Sequence, residues 1–268
     1  MMGLSSPWYF GAVPPADGPK YAEAFRELED PAGFGAKWGP RTTERRSECY
    51  NFSNSAQCNW NGGSWPFETS KVGTALINLL QTYKPQPTVG LSAFDRLLRT
   101  YARAHTRTHA EGLAPPHVDE DLHPDDGYWI TRRKLHGIPP WRGAGGLGSP
   151  RDPLRDRGTH YFHSTFNDLV LSGLVGLRAH AEHFEIYPLS FVSSFCVTRL
   201  RLRGVDVSVV WDADGSRYPH GAGLHVWVSG RLVGSARGRA SSRHTQLPPR
   251  LHVSYDGTRL VAVQSGGG

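Results

Sequence analysis

The apolar pattern of this chain changes period once, near His180, and that single change limits what it can fold into. Before it, apolar residues recur at helical spacing. Phe67, Val72, Ala75, Leu76, Leu79 and Leu80 predict a helix from Pro66, a residue suited to a first helical turn, to about Tyr83, where Lys84-Pro85-Gln86-Pro87 ends it. Phe94, Leu97, Leu98, Tyr101 and Ala102 predict a second helix, with Ser92 as its N-cap, running to about Ala110. Phe166, Leu169, Val170, Gly173, Leu174 and Leu177 predict a third over about Ser164 to Leu177. After His180 the period is two. Cys196, Thr198, Leu200 and Leu202 form one alternating set, and Val205, Val207, Val209 and Trp211 another. Leu224, Val226 and Val228 follow the Asp212-Ala213-Asp214-Gly215 turn, and Ser229-Gly230 reads as a hairpin turn. Val253 and Leu260 to Val263 supply final strands. The expected fold class is mainly α followed by β, in two segregated units: 1–180 helical, and 181–264 a β-sandwich-like appendage.

Glycine and proline together account for 51 residues (31 plus 20), so long stretches must be loop. Residues 1–64 read as mostly loop, with one short helix near Tyr21 to Leu28 before Pro31, Gly33, Gly35, Gly39 and Pro40. Residues 115–158 form a second irregular stretch, of a length that usually carries function or stays disordered.

The net charge of +6 and a pI near 9.4 would suit a nucleic-acid partner. The arginines are scattered, however. Arg45-Arg46 and Thr131-Arg132-Arg133-Lys134 are the compact basic groups, and neither lies in a nucleic-acid motif. No nucleic-acid partner is therefore expected. No segment approaches the ~20 apolar residues of a membrane span, and Met1 to Phe10 lacks the basic start and apolar run of a signal peptide. The expectation is a cytoplasmic protein without a membrane partner. Cys49, Cys58 and Cys196 are too few for a disulfide framework. Cys49 and Cys58 either staple the loop before Trp60 or remain free thiols.

Three segments carry chemistry-bearing residues. They are Trp60-Asn61-Gly62-Gly63-Ser64-Trp65-Pro66-Phe67, Glu120-Asp121-Leu122-His123-Pro124-Asp125-Asp126-Gly127 and His163-Ser164-Thr165-Phe166-Asn167-Asp168. Aromatic rings, amides and a loop carboxylate in this order suggest a sugar-cutting site. Trp60, Trp65 and Trp129 sit among polar and glycine residues, which favours sugar-stacking platforms over the ordinary role of tryptophan in a core. Asn61 and His163 are suited to bonding hydroxyls, against rival roles in a turn and at a helix start. Asp168 is a substrate-binding candidate whose rival role is to complement a helix dipole. Glycoside hydrolysis needs two carboxyl groups flanking the bond, and only Glu120 has a clear place. His105 and His109 have the i, i+4 spacing of zinc ligands but lack the glutamate of the zinc-protease arrangement. His160 and His163 form a similarly weak pair. No metal ligand and no cofactor are assigned.

Taken jointly, these motifs resemble the C-terminal part of the six-hairpin, (α/α)6-barrel glycoside hydrolases. The resemblance is to the mannosylglycerate hydrolase-like group, related to glycoside hydrolase family 63. That group has a WNGPSWPF loop opening a helix, where this chain reads WNGGSWPF over Trp60 to Phe67. Its E-N-x-N-P-x-T-G loop corresponds to Glu120 to Gly127, and its HSTFNDLV segment to His163 to Val170, followed by Ser172 to Arg178. Gly39-Pro40-Arg41-Thr42-Thr43-Glu44-Arg45 resembles the loop ahead of the tryptophan motif. The resemblance covers roughly residues 7 to 230.

The resemblance implies that Glu120 is the general base of an inverting mechanism, taking a proton from a water on one face of the sugar. The aspartate that serves the family as general acid comes from an earlier barrel segment with no counterpart in these residues. Four predicted helices also fall short of a twelve-helix barrel. The expectation is thus an incomplete catalytic domain, a fragment acting on O-glycosidic bonds in a small or oligosaccharide substrate, with the missing N-terminal barrel segment as a partner. The alternative is a non-catalytic carbohydrate-binding or remnant protein that lacks the acid.

Overall fold

The computed structural model describes residues 1–50, 60–106, 120–130, 165–189, 192–240, 246–247, 249–255 and 260–262. The chain forms two compact units, Met1–Phe166 and Asn167–Gly268. Helices come first and antiparallel sheets afterwards, as the change of period requires. No described helix is long and apolar enough to cross a membrane.

The first unit is organised around α3 (Pro66–Thr82), which is buried on most sides: Val72, Ala75, Leu76, Ile77 and Leu79 are all shielded. Helix α1 (Met2–Tyr9) and helix α4 (Leu91–His105) both pack on it. α1 lies in a stretch read from sequence as loop. Pro7 sits inside it and removes one backbone donor, which argues locally against a helix. Tertiary contacts override that preference. Trp8 is buried against Phe25 and Tyr83, with ring centroids 5.6 and 5.0 Å away. The Asn78 amide of α3 donates to the Trp8 carbonyl at 3.0 Å. The short helix expected near Tyr21 to Leu28 is present as α2 (Gly18–Ala22) followed by a 3-10 turn, Glu23–Leu28.

α4 starts one residue earlier than its predicted cap. Gly90 takes the N-cap position and Ser92 lies inside the first turn, so Ser92 does not cap. Phe94, Leu98, Tyr101 and Ala104 form the buried face. His109 and the rest of the predicted C-terminal turn fall outside the described residues, as do His160 and His163. The helix expected over Ser164 to Leu177 is shorter. α5 (Thr165–Leu169) passes into a π-helical turn, Val170–Leu174, and Leu177 already belongs to a strand.

The second unit holds two four-stranded antiparallel sheets. One has the order β1 (Leu177–Ala179), β2 (His183–Ile186), β9 (Leu251–Ser254), β10 (Leu260–Ala262). The other has β3 (Ser194–Leu202), β4 (Val205–Asp212), β5 (Gly223–Val228), β6 (Arg231–Ala236). β7 (Arg239–Ala240) and β8 (Gln246–Leu247) form a separate short pair. Phe184, Ile186, Leu251 and Val253 from the first sheet share one core with Phe195, Val207, Val209, Trp211, Leu224, Val226 and Val228 from the second. Ser229-Gly230 makes the predicted hairpin turn, both residues having positive φ and joining Val228 to Arg231.

One strand reverses the expected alternation. Cys196 and Thr198, read as one alternating set with Leu200 and Leu202, are both exposed, while Phe195 is buried and Val197 half-buried. The register slips between Val197 and Leu200, where Arg199 has φ 57°. The bulge adds a residue, so the inward set is Phe195, Val197, Leu200 and Leu202. Cys49 and Cys196 are free, exposed thiols, and Cys58 lies outside the described residues.

Glu185 on β2 is buried and ion-paired to Arg250 at 2.9 Å. Burial opposes its ionisation. The hydrogen bond and charge of Arg250, with His252 and His180 behind them, outweigh burial and hold the carboxyl below its usual range.

Candidate functional site

The site of interest lies where the tryptophan loop meets the carboxylate loop. Residues Trp60 to Trp65 lead directly into α3, with Pro66 in its first turn and Trp65 in extended backbone just ahead of it. The loop is braced from behind by Thr42 and Thr43. The Thr42 hydroxyl donates to the Gly63 carbonyl at 3.0 Å and accepts from the Gly62 N–H at 3.1 Å, and the Thr43 hydroxyl donates to the Trp60 carbonyl at 3.1 Å. The Trp60 and Trp65 rings stack, 4.1 Å between centroids and 14° between planes. Trp65 is buried and Trp60 keeps 38% of its surface open.

The carboxylate loop is a tight hairpin. Leu122 bridges both to Ser64 of the tryptophan loop and to Trp129. The Ser64–Leu122 bridge carries two backbone hydrogen bonds of 2.9 Å, one in each direction. The hairpin closes through His123 N–H to Tyr128 C=O at 2.8 Å and Ile130 N–H to Asp121 C=O at 2.9 Å. Its turn is held by the His123 ring, whose Nδ1 accepts from the Asp125 and Asp126 N–H groups at 3.2 and 3.3 Å. Gly127 completes it with φ 79°, and its Cα faces the Trp38 ring so closely that an added Cβ would lie 2.5 Å from it. The buried Arg41 guanidinium pairs with Asp125 and donates to the Gly35 carbonyl, locking the turn to the 31–45 segment.

Glu120 opens this hairpin, two residues before the bridged Leu122, and is half-buried. The loops of Trp60, Trp65 and Glu120, some 60 residues apart in sequence, are thus joined by backbone pairing. Asp121 is buried, its Oδ2 3.7 Å from the point a Cβ on Gly63 would occupy. A second carboxylate against the tryptophan loop was not singled out as a site residue from the sequence. The only available signal was its position next to Glu120.

Trp129 is fully buried. It packs with Ala104, Leu122 and Trp38, and the His105 ring meets it edge-on at 5.8 Å. Of the three tryptophans read as platforms, Trp60 alone presents an open face. Asn61 is half-buried in the same loop. His163 lies outside the described residues. Asp168 is exposed on α5, in the second unit, where its backbone carbonyl accepts from the Ser172 hydroxyl at 2.5 Å. Beside the site, Tyr101 of α4 is buried. Burial pushes its phenol well above the ordinary range, with Thr165 partly offsetting the rise. Glu68, in the first turn of α3, is also buried and holds Lys71 at 2.6 Å through Oε1. A separate cavity of about 660 Å³ opens between α4 and the 25–45 segment, lined in part by Arg26, Arg41, Arg45, Arg96 and Asp125. Trp60 and Glu120 do not line it.

A solved structure described as a sialidase is similar over 86% of this chain, with a TM-score of 0.69 and 31% sequence identity. The similarity covers 19% of that protein, so this chain spans about a fifth of its length. The family model of the mannosylglycerate hydrolase MGH1-like glycoside hydrolase domain matches residues 2–164, the stretch that holds both loops. By that match over more than half its length, the chain belongs to the mannosylglycerate hydrolase MGH1-like glycoside hydrolase family.

Proposed function

We propose that this chain carries the base half of an inverting glycoside hydrolase site, within the C-terminal part of an (α/α)6 toroid. Glu120 removes the proton from the attacking water. Trp60, backed by the buried Trp65, offers a flat apolar face to a sugar ring. Asn61, and His163 from outside the described residues, bond substrate hydroxyls, and Asp168 is held as a further substrate-binding candidate. Trp129 serves by filling the space under the hairpin. The observation that supports this reading is the two-way backbone pairing of Ser64 with Leu122, which fixes the tryptophan loop against the carboxylate loop.

A carboxylate held by a rigid hairpin suits a general base, because the water it activates must sit on one face of the sugar. The general acid of an inverting site stands about 6.5–9.5 Å from the base, with the sugar between them. In this reading the acid comes from a further barrel segment outside these 268 residues, and the substrate is a small or oligomeric O-glycoside. The test is expression of the chain alone and joined to its upstream reading frame, each assayed on a glycoside panel that includes α-mannosides, α-glucosides and sialosides. Turnover by the joined form with configuration inverted, and little by the chain alone, is the expected result. Efficient turnover by the isolated chain would place the acid among these residues. Sugar binding without turnover in both forms would favour a non-catalytic carbohydrate-binding protein.

A further inference from the structure

The face of the β1-β2-β9-β10 sheet opposite Phe184 and Ile186 carries a side-chain cluster that includes no residue of the tryptophan or carboxylate loops. His183 and Glu185 are two residues apart on β2, so they point to the same face. His180 follows β1, and His252 on β9 stands directly opposite Glu185 in the register. The three imidazoles lie nearly parallel: His180 to His183 is 4.5 Å at 13°, and His183 to His252 is 5.6 Å at 9°. Nε2 of His180 and Nε2 of His252 approach the same oxygen, Glu185 Oε1, at 3.8 and 3.2 Å. The other oxygen is taken by Arg250 at 2.9 Å.

We propose that His180, His183 and Glu185 form a binding site for a divalent transition cation of the zinc type, with His252 beside it as the fourth donor. One ligand atom from each of the first three lies within 4.8 Å of the other two. Zinc bonds of about 2.0–2.1 Å in a tetrahedron set its ligand atoms about 3.3 Å apart. Side-chain rotations of about an ångström close the difference, and His180 and His183 are not fully enclosed, so they are free to make them. Two or three imidazoles with one carboxylate oxygen is a donor set that zinc takes. The Arg250 bond to the second carboxylate oxygen is the kind of outer contact that orients a metal-bound carboxylate.

His252 supplies a second indication. Its Nε2 is shielded from water and makes no hydrogen bond in proper geometry, although Glu185 Oε1 is only 3.2 Å away. A buried ring nitrogen in that condition is costly unless something accepts its lone pair. A cation between the ring and the carboxylate would do so. Arg178, opposite Glu185 on β1, and Arg250, bonded to its second oxygen, are the positive charges a dication must meet. Arg250 also orients the carboxylate, so Arg178 is the one whose removal should tighten binding. Through these ligands the ion would tie together the end of β1, β2 and β9, and it would therefore stabilise the β unit.

The test is titration of the metal-free 268-residue chain with Zn²⁺ by calorimetry, and with Co²⁺ by visible absorption, which reports tetrahedral nitrogen and oxygen ligation. The expected result is one tight equivalent, a tetrahedral cobalt spectrum and a rise in melting temperature with Zn²⁺. His180→Ala and Glu185→Gln should each weaken binding by at least 10-fold, and Arg178→Ala should tighten it. His220→Ala, at an exposed histidine in the connection between β4 and β5, should change nothing. Circular dichroism of each variant separates lost ligation from lost folding, and His180→Gln gives a milder substitution if His180→Ala does not fold. Absence of a tight equivalent in the folded wild-type chain would overturn the site. So would binding that survives His180→Ala and Glu185→Gln in folded protein.

Discussion

The two units reach order by different means. In the β unit, four-strand ladders place every residue by its neighbours: β4 pairs continuously with β5 from Val207↔Val228 to Asp212↔Gly223. In the helical unit, the segments that carry the proposed chemistry are held by isolated bridges and single side chains. Among the described residues, Ser64–Leu122 and Leu122–Trp129 are the bridges, and Thr42, Thr43, His123 and Arg41 are side-chain braces. Continuous ladders make a unit tolerant of losing any one bond. Sparse bracing leaves loops free to present a carboxylate and an aromatic ring, at the cost of depending on few residues. The family match covers the sparsely braced unit and stops before the ladders.

The largest expected effect belongs to the chemistry. In the chain joined to its upstream reading frame, Glu120→Gln keeps the shape and removes the base. Turnover should fall by about 10²- to 10⁴-fold with sugar binding largely retained. Steady-state kinetics beside equilibrium binding of the same glycoside would check it. Unchanged turnover would reassign the base, with the buried Asp121 as the next carboxylate to replace.

Next come two fully buried tryptophans, Trp129 from the first unit and Trp211 from the second. Trp129→Ala removes the ring beneath the carboxylate hairpin, and Trp211→Ala removes the centre of the sandwich core. Each should cost about 3–5 kcal/mol. The consequences should differ. Hydrogen exchange should show Trp129→Ala opening the 120–130 hairpin first, since few bonds hold it, whereas Trp211→Ala should weaken the β3-β4-β5-β6 ladder as a whole. If Trp129→Ala leaves the hairpin as protected as before, the contrast in bracing fails.

Legibility in the sequence follows the same division. The ladders and α3 were readable because burial imposes a period on many residues at once, and no single exception hides it. The order of helices before sheets came from that period alone. Four features escaped it. α1 has only Trp8 and Ser5 buried, so its pattern is too short to register, and Pro7 argues against it. The bulge near Arg199 adds one residue, which no period-two reading of the sequence can detect. The pairing of Ser64 with Leu122 is a contact between distant loops, and here only the resemblance of both motifs to one family brought them together. The burial of Trp129 was equally hidden, because glycine and aspartate neighbours describe the hairpin and not what covers it.

Two glycines sharpen the comparison at lower cost. Gly127 and Gly230 both have φ 79°, but an added Cβ at Gly127 meets the Trp38 ring while at Gly230 it meets open space. Gly230→Ala should therefore cost about 1–2 kcal/mol, the penalty of a left-handed backbone with a side chain. Gly127→Ala should cost that and more, because Trp38 must move. Denaturant unfolding of both variants gives the difference directly. Equal losses would mean that Trp38 yields freely and does not brace the turn.

The smallest expected effect tests the bulge. A strict alternation along β3 would bury Cys196 and expose Phe195, and the structure has the reverse. Cys196→Ser should then change stability by no more than about 0.5 kcal/mol, as surface substitutions do. Phe195→Ala should cost about 3–5 kcal/mol, the usual range for deleting a core phenylalanine. The pair is informative because one register slip exchanges the two values: a sheet that kept the simple period would suffer from the serine and tolerate the alanine. Arg199, whose φ of 57° absorbs the extra residue, supplies the matching control. Arg199→Gly relieves a left-handed backbone without altering the inward set, so it should leave stability unchanged or slightly raised. A marked loss there, with a costly Cys196→Ser, would show that β3 runs straight in solution.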